Sequence, residues 1–204
     1  RVLREYCDKG VQLVVGEAFG ISKEARKVAD DYPNIAFLMG DPFKPHGSNF
    51  SVFDNYIHEP CYLMGIIAGH MSESKKIGMV GGYPIGEVNR LFHAFMNGAR
   101  SVDPNFEFKV NFIGSWYDPP KAKEAAIAQI EAGVDIMYAE RAGVVDACRE
   151  KGILAFGNVN DMNKEENGTD VVVTSALWHM ENAIDHAIER VKSGTFSAEE
   201  YHNW

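Results

Sequence analysis

The sequence predicts an α/β fold built on parallel sheets covered on both faces. Three observations carry this. Short, continuously apolar runs recur along the chain, stretches of helical periodicity separate them, and Gly, Pro, Asp or Ser stands at nearly every junction. An apolar run without alternation reads as a strand buried on both sides, and parallel strands need crossover helices to supply that cover. Such crossovers are overwhelmingly right-handed.

Taken in order, residues 1–9 read as the tail of a helix closed by Gly10, and VQLVVGE (11–17) as a buried strand. A helix over 22–31, with Ser22 as N-cap, precedes a second buried strand, IAFLMG (35–40). A Pro/Gly-rich loop (41–49) leads to a short strand at 51–53 and a helix at 59–71. KIGMVGG (76–82) is a strand ending in a glycine turn. Residues 87–101 form a helix whose Val88, Leu91, Phe92 and Phe95 follow i, i+3, i+4, i+7 spacing. The alternation continues with strands at 107–113, 135–139, 153–157 and 171–175, and helices at 119–132, 143–151 and 181–193. Asp118-Pro119 starts one of these, an N-cap followed by proline at the first helical position. Ala125, Ala126, Ile127 and Ile130 give that helix an apolar side, and Gly133 stops it. The chain opens inside a helix, and its first sheet has only three short strands. A strand–helix–strand segment is therefore expected ahead of Arg1, and the ending at 201–204 also reads as an interruption.

Composition narrows the function. The chain has 204 residues, 46% of them hydrophobic, and carries 20 basic against 29 acidic side chains, a net charge of −9. That balance argues against nucleic acid or an anionic membrane surface as the main partner. No apolar run is long enough to cross a bilayer, and no leader is visible. Cys7, Cys61 and Cys148 form no C-x-x-C pair and read as buried small hydrophobes, with one disulfide left open.

Catalytic motifs are missing. There is no G-x-S-x-G and no Walker loop, and GMVGGYPIG (78–86) lacks dinucleotide-binding spacing, so it reads as a turn. The seven histidines show no metal spacing; His179 and His186 merely share a helix two turns apart. Glu59 sits at a helix start, where a carboxylate suits the dipole. The acid pairs at 30–31 and 165–166 read as solvated. No metal, no cofactor and no catalysis are expected. What does converge is a set of aromatic and polar residues just after strands: Phe19, Asp54, Asn55, Tyr56, Tyr83, Trp116, Tyr117, Glu140, Arg141, Asn158, Asn160, Asp161 and Trp178. The carboxyl ends of strands are where open α/β sheets hold ligands. Flat rings with amide and carboxyl groups around them suit a planar heterocycle.

GSWYDPPKAKEAAIAQIEAGVDIMYA (114–139) resembles the G-S-[FW]-x-D-x-x-K-x-K-E-A-A…G-A-D-V-I block of the basic membrane protein family of ABC-transporter substrate-binding proteins. HEPCYLMGIIAGHMSESKKIGMVGG (58–82) is similar to the same family's E-x-S-[FY]-L-A-G…K-I-G-x-V-G-G, and GYPIGEVNRLFHAFMNGAR and DVVVTSALWHMENAIDHAI also fit. The resemblance implies a two-lobed type I periplasmic-binding-protein fold, each lobe a mostly parallel sheet flanked by helices. It implies a first lobe at 1–75 lacking its N-terminal part, a second at 76–175, and a return at 176–204. The chain would pass between lobes near 54–58 and Lys75, and back near 175–178, with ligand held in the inter-lobe cleft. The implied partner is an ABC permease, and the implied location is the periplasm or the outer face of the cytoplasmic membrane through a lipid anchor outside this chain.

The well-understood members are purine-nucleoside receptors in which two aromatics sandwich the base while an acid and a lysine hold the ribose. Here Val159 stands at the acid's position, Trp178 at the lysine's, and Glu140-Arg141 in place of a glycine-rich loop. With both sugar-holding groups replaced, the expected ligand is a free purine base, adenine first, with Glu140 accepting from its amine and Asn158 pairing with a ring edge. The expected ligand-binding set is Phe19, Asp54, Tyr56, Trp116, Tyr117, Glu140, Asn158, Asn160 and Trp178. The alternatives are a purine-nucleoside receptor, a nucleoside hydrolase-like enzyme, and the sensing domain of a regulator.

Overall fold

The structure, a computed structural model, describes residues 1–165 and 170–202. It divides into two compact units, Arg1–Tyr56 with His179–Trp204, and Ile57–Trp178.

The first unit opens with α1 (Val2–Asp8), β1 (Leu13–Glu17), α2 (Ser22–Asp31), β2 (Ala36–Gly40) and β3 (Phe50–Phe53). All pairings are parallel, and β2 lies between β1 and β3 with every residue buried. Ser22 is the first helical residue of α2 rather than its cap, and Ile21 holds the cap position. The Ser22 hydroxyl is drawn elsewhere. It donates to Asp41 Oδ2 at 2.6 Å, alongside Arg26 Nη2 at 3.1 Å, while the Phe43 amide donates to Asp41 Oδ1 at 2.9 Å. Asp41 is fully buried, and a buried carboxylate needs those donors more than a helix start needs a cap.

The second unit follows in chain order: α3 (His58–Met71), β4 (Lys76–Gly81), α4 (Gly86–Val102), β5 (Glu107–Phe112), α5 (Pro119–Glu131), β6 (Ile136–Ala139), α6 (Val144–Lys151), β7 (Leu154–Val159), α7 (Met162–Glu165) and β8 (Val172–Leu177). Its five strands run in the order β5-β4-β6-β7-β8, all parallel. One core, with Ile77, Met79, Ile136, Tyr138 and Phe156, packs with α3 and α4 residues. The other, with Val80, Met137, Ala139 and Ala155, packs with α5 and α6 residues. β5 differs from expectation: it is an edge strand and largely solvent-facing, with Val110 exposed. The buried stripe of α5 is Ala122, Ala126 and Gln129, with Ala125, Ile127 and Ile130 only half-buried around it. Asp118 does cap α5, accepting from the Lys121 amide at 3.2 Å, and Gly133 follows it at φ +93.

The chain then returns to the first unit with α8 (Glu181–Lys192) and β9 (Glu200–Tyr201), which extends the first sheet beside β3. Ala183 and Ala187 of α8 cover Leu38, Phe53 and Tyr201. The short elements α7 and β9 carry no sequence signal strong enough to be expected. Of the acid pair at 165–166, Glu166 lies outside the described residues.

Contacts put the crossings at Tyr56/Ile57 and Trp178/His179, so α3 belongs wholly to the second unit; the sequence reading had placed it in the first. Glycines explain the attachment. A Cβ at Gly65 would lie 2.1 Å from the Phe95 carbonyl oxygen, and one at Gly98 2.1 Å from that of Tyr62. Only glycine lets α3 and α4 approach this closely. The turn after α3 is held by Asp135, whose carboxylate accepts from the Ser72 hydroxyl (2.7 Å) and the Glu73 (2.8 Å) and Ser74 (2.7 Å) amides.

Among the described residues no helix is long and apolar enough to cross a membrane, and no cluster of His, Cys, Asp or Glu fits a metal ion. All three cysteines are buried and free. Burial pushes the Cys61 and Cys148 thiols up to about 12, so they stay protonated.

Candidate functional site

Parity along the strands of the second unit brings several of the expected residues to one edge. In register, Tyr138 of β6 pairs with Phe156 of β7, and Asn158 pairs with Ala176 of β8. Tyr138, Phe156 and Ala176 all face the α3–α4 core. The next positions on that face, at the carboxyl ends, are Glu140, Asn158 and Trp178.

Trp116 anchors the arrangement. A Cβ at Gly82, just beyond β4, would come within 2.8 Å of its ring, so only glycine lets the indole settle there. Tyr83 lies against it with centroids 5.0 Å apart and planes tilted by 59°. The Arg141 guanidinium stands 5.2 Å from the ring centroid, and its Nη1 donates to the Trp116 carbonyl at 2.6 Å. Trp116 nevertheless remains 47% exposed. A large ring held by three neighbours and still half open to solvent is preorganised for stacking.

Glu140 builds this scaffold. It is 5% exposed, and its Oε2 accepts from the Gly82 amide at 3.0 Å and from Arg141 Nε at 2.8 Å, while Oε1 pairs with Arg141 Nη2. The carboxylate thus ties the β4 turn to the arginine that backs Trp116. Asn158 is 3% exposed and accepts from the Tyr138 hydroxyl at 2.8 Å. Directly after it, Val159 adopts φ +67, a conformation rare for a β-branched residue. The Asn160 amide donates back to the Asn158 carbonyl at 2.8 Å, and the Trp178 amide donates to the Val159 carbonyl at 2.9 Å. The Trp178 ring is half-buried against the α3–α4 core.

Other expected residues stand apart. Tyr117 is 79% exposed; Tyr83, not Tyr117, is the ring that packs on Trp116. Asn160 is exposed beyond the strained turn. Phe19, Asp54 and Tyr56 belong to the first unit. There Phe19 lies over Gly40, where a Cβ would meet its ring at 2.8 Å and that of Phe53 at 3.2 Å. Buried Asp54 accepts from the Tyr56 amide at 3.1 Å and so holds Tyr56 at φ +49 beside the crossing. The Tyr56 hydroxyl is 3.2 Å from His202 Nδ1. Tyr83 and Arg141 are the members that the ligand-binding set above lacks. Their position after strands was the available signal; that both converge on Trp116 is a fact of packing.

A family model for ABC transporter substrate-binding proteins, PnrA-like, matches residues 1–204. A putative ABC transporter glucose-binding protein of Haloferax volcanii is 32% identical over 203 residues, covering 98% of this chain and 51% of that protein. A purine-binding protein of Brucella abortus is 32% identical over 180 residues, covering 87% and 51%. The nucleoside-binding protein BmpA of Lactococcus lactis is 26% identical over 164 residues, covering 80% and 45%. The chain thus spans about half the length of these curated relatives. Among solved structures, an ABC transporter solute-binding protein from Aeropyrum pernix superposes with TM-score 0.82 at 21% identity, over 98% of this chain and 60% of that one. A transcriptional activator of the comK gene from Bacillus halodurans superposes with TM-score 0.75 at 25% identity, over 100% and 71%. A match along its full length, on two parallel sheets flanked by helices, shows that this chain belongs to the Bmp family of PnrA-like ABC transporter substrate-binding proteins, a family of binding proteins rather than enzymes.

Proposed function

We propose that the protein containing this chain captures a free purine base, adenine first, and hands it to an ABC permease with no bond made or broken. The observation that carries the reading is Trp116, half exposed and held by Gly82, Tyr83 and Arg141 at the same carboxyl-end edge of the sheet as Asn158. A stacking ring with a polar group at its margin is the chemistry a nucleobase needs. The positions that hold ribose in nucleoside receptors are apolar here, Val159 and Trp178, which favours a base over a nucleoside. Glu140 supports the site by holding Gly82 and Arg141, so base recognition falls chiefly to Asn158. One relative is named as purine-binding and another as glucose-binding, so a sugar is the natural competitor.

Calorimetry on the full-length protein with adenine, guanine, adenosine and glucose tests this. Adenine should bind most tightly and glucose not at all. Tighter binding of adenosine would make it a nucleoside receptor, and binding of glucose alone would remove the purine reading. Release of free base from adenosine during incubation would put it among hydrolases.

A further inference from the structure

We infer that Tyr138 is a positioning residue: its hydroxyl locks the Asn158 side-chain amide with the nitrogen turned toward ligand, so that the site selects a ring edge presenting a hydrogen-bond acceptor. The inference rests on the proposed function, since it names what the site reads on the heterocycle.

Tyr138 is completely buried, and its hydroxyl has two polar neighbours, Cys61 Sγ at 3.1 Å and Asn158 Oδ1 at 2.8 Å. Burial holds the phenol well above its ordinary value, as it does the Cys61 thiol, so each keeps its single proton at neutral pH. A sulfur is a weak acceptor and an amide oxygen a good one. The phenol proton therefore goes to Asn158 Oδ1, and the thiol proton to the phenol oxygen. The chain runs S–H to O–H to O=C, each bond polarising the next. An amide held through its oxygen has a fixed orientation, and its remaining group is the NH₂, a donor.

Among the described residues Asn158 Nδ2 donates to no protein atom, and it is not one of the sealed-in polar atoms that lack a partner, so it stays within reach of solvent or a ligand. The turn that follows is also strained, with β-branched Val159 at φ +67 carrying the chain away immediately after Asn158. Strain and a donor without a protein acceptor at one strand end fit an amide reserved for ligand. Purine rings supply such acceptors as imine nitrogens and carbonyl oxygens.

Calorimetry with adenine, hypoxanthine and guanine on full-length wild type, Y138F, N158D and C61A tests the lock. Wild type should spread the three bases by about tenfold or more, the order of one well-made hydrogen bond. Y138F keeps the ring but frees the amide to turn, so the spread should collapse to about threefold or less. N158D turns the donor into an acceptor and should weaken the favoured base by about tenfold. C61A removes only the outer link and should keep the ranking. Amide NMR of labelled protein reads the lock without ligand: the Asn158 NH₂ pair, assigned by its loss in N158D, should shift in Y138F. An unchanged spread in a folded Y138F, or an N158D that binds the favoured base as well as wild type does, overturns the inference while leaving the proposed function standing. If wild type binds no base, the proposed function fails, and the amide signal alone decides whether the lock exists: an unmoved pair refutes it.

Discussion

At the scale of single residues, the proposed function puts most of the binding energy on Trp116. Replacing it with Ala should weaken purine binding by about 1–3 kcal/mol, the range for a base stacked on an aromatic ring, as read by calorimetry on the full-length protein. Gly82→Ala should do similar harm without touching the ligand, because a Cβ there meets the indole at 2.8 Å. Tyr117→Ala should change affinity little, since that ring is 79% exposed. The sequence showed that aromatics and polar groups follow strands. It could not show which of them meet. Glu140 looked like a ligand acceptor because a carboxylate after a strand reads that way; packing turned it against the Gly82 amide and Arg141. Tyr117 looked like half of an aromatic pair because it is adjacent in sequence, yet neighbours at a strand's exit point in different directions, and the distant Tyr83 fills the place.

At the scale of elements, buried polar groups and close approaches set the stability. Asp41→Ala would leave Arg26, only 17% exposed, without its carboxylate. It should destabilise the first unit by about 3–5 kcal/mol in urea melts. Gly65→Ala would force α3 away from α4 and should cost about 1–3 kcal/mol in the same assay. The turn after α3 gives a pH effect. Burial disfavours the charge on Asp135, but hydrogen bonds from Ser74, Ser72 and Glu73 outweigh it and hold the carboxyl below its ordinary 3.8. A depressed carboxyl contributes stability that is complete above the unfolded value and is lost as pH falls through the lower, folded one. Wild type should therefore lose part of its stability below about pH 4, and Asp135→Asn should flatten that limb in thermal melts. Strands and helices were legible because β2 and β6 are apolar throughout, β4 is apolar after Lys76, and α4 keeps its stripe of Val88, Leu91, Phe92 and Phe95. The Ser22 cap was misread because a distant partner, Asp41, competes for the hydroxyl. β5 was misread as buried because edge position depends on sheet order, which local pattern does not encode.

At the scale of the whole molecule, the chain forms two units, each a parallel sheet flanked by helices, and belongs to a family of binding proteins. The chain's acidic balance, −9, suits a small uncharged ligand better than a polyanion. Binding to the folded state alone should raise the melting temperature with ligand concentration, by about 2.7 kcal/mol of added stability at a hundredfold excess over Kd. The two-unit organisation was legible in the family blocks. The boundary beside α3 was not, because glycine contacts between α3 and α4 decide it. The central claim is that a planar heterocycle stacks on Trp116 beside Asn158, and a crystal structure of the full-length protein grown with adenine measures it most directly. Flat density against the exposed face of the Trp116 indole, with a ring nitrogen within hydrogen-bond distance of Asn158 Nδ2, is the predicted result. Adenine bound elsewhere, with solvent covering Trp116, would contradict it.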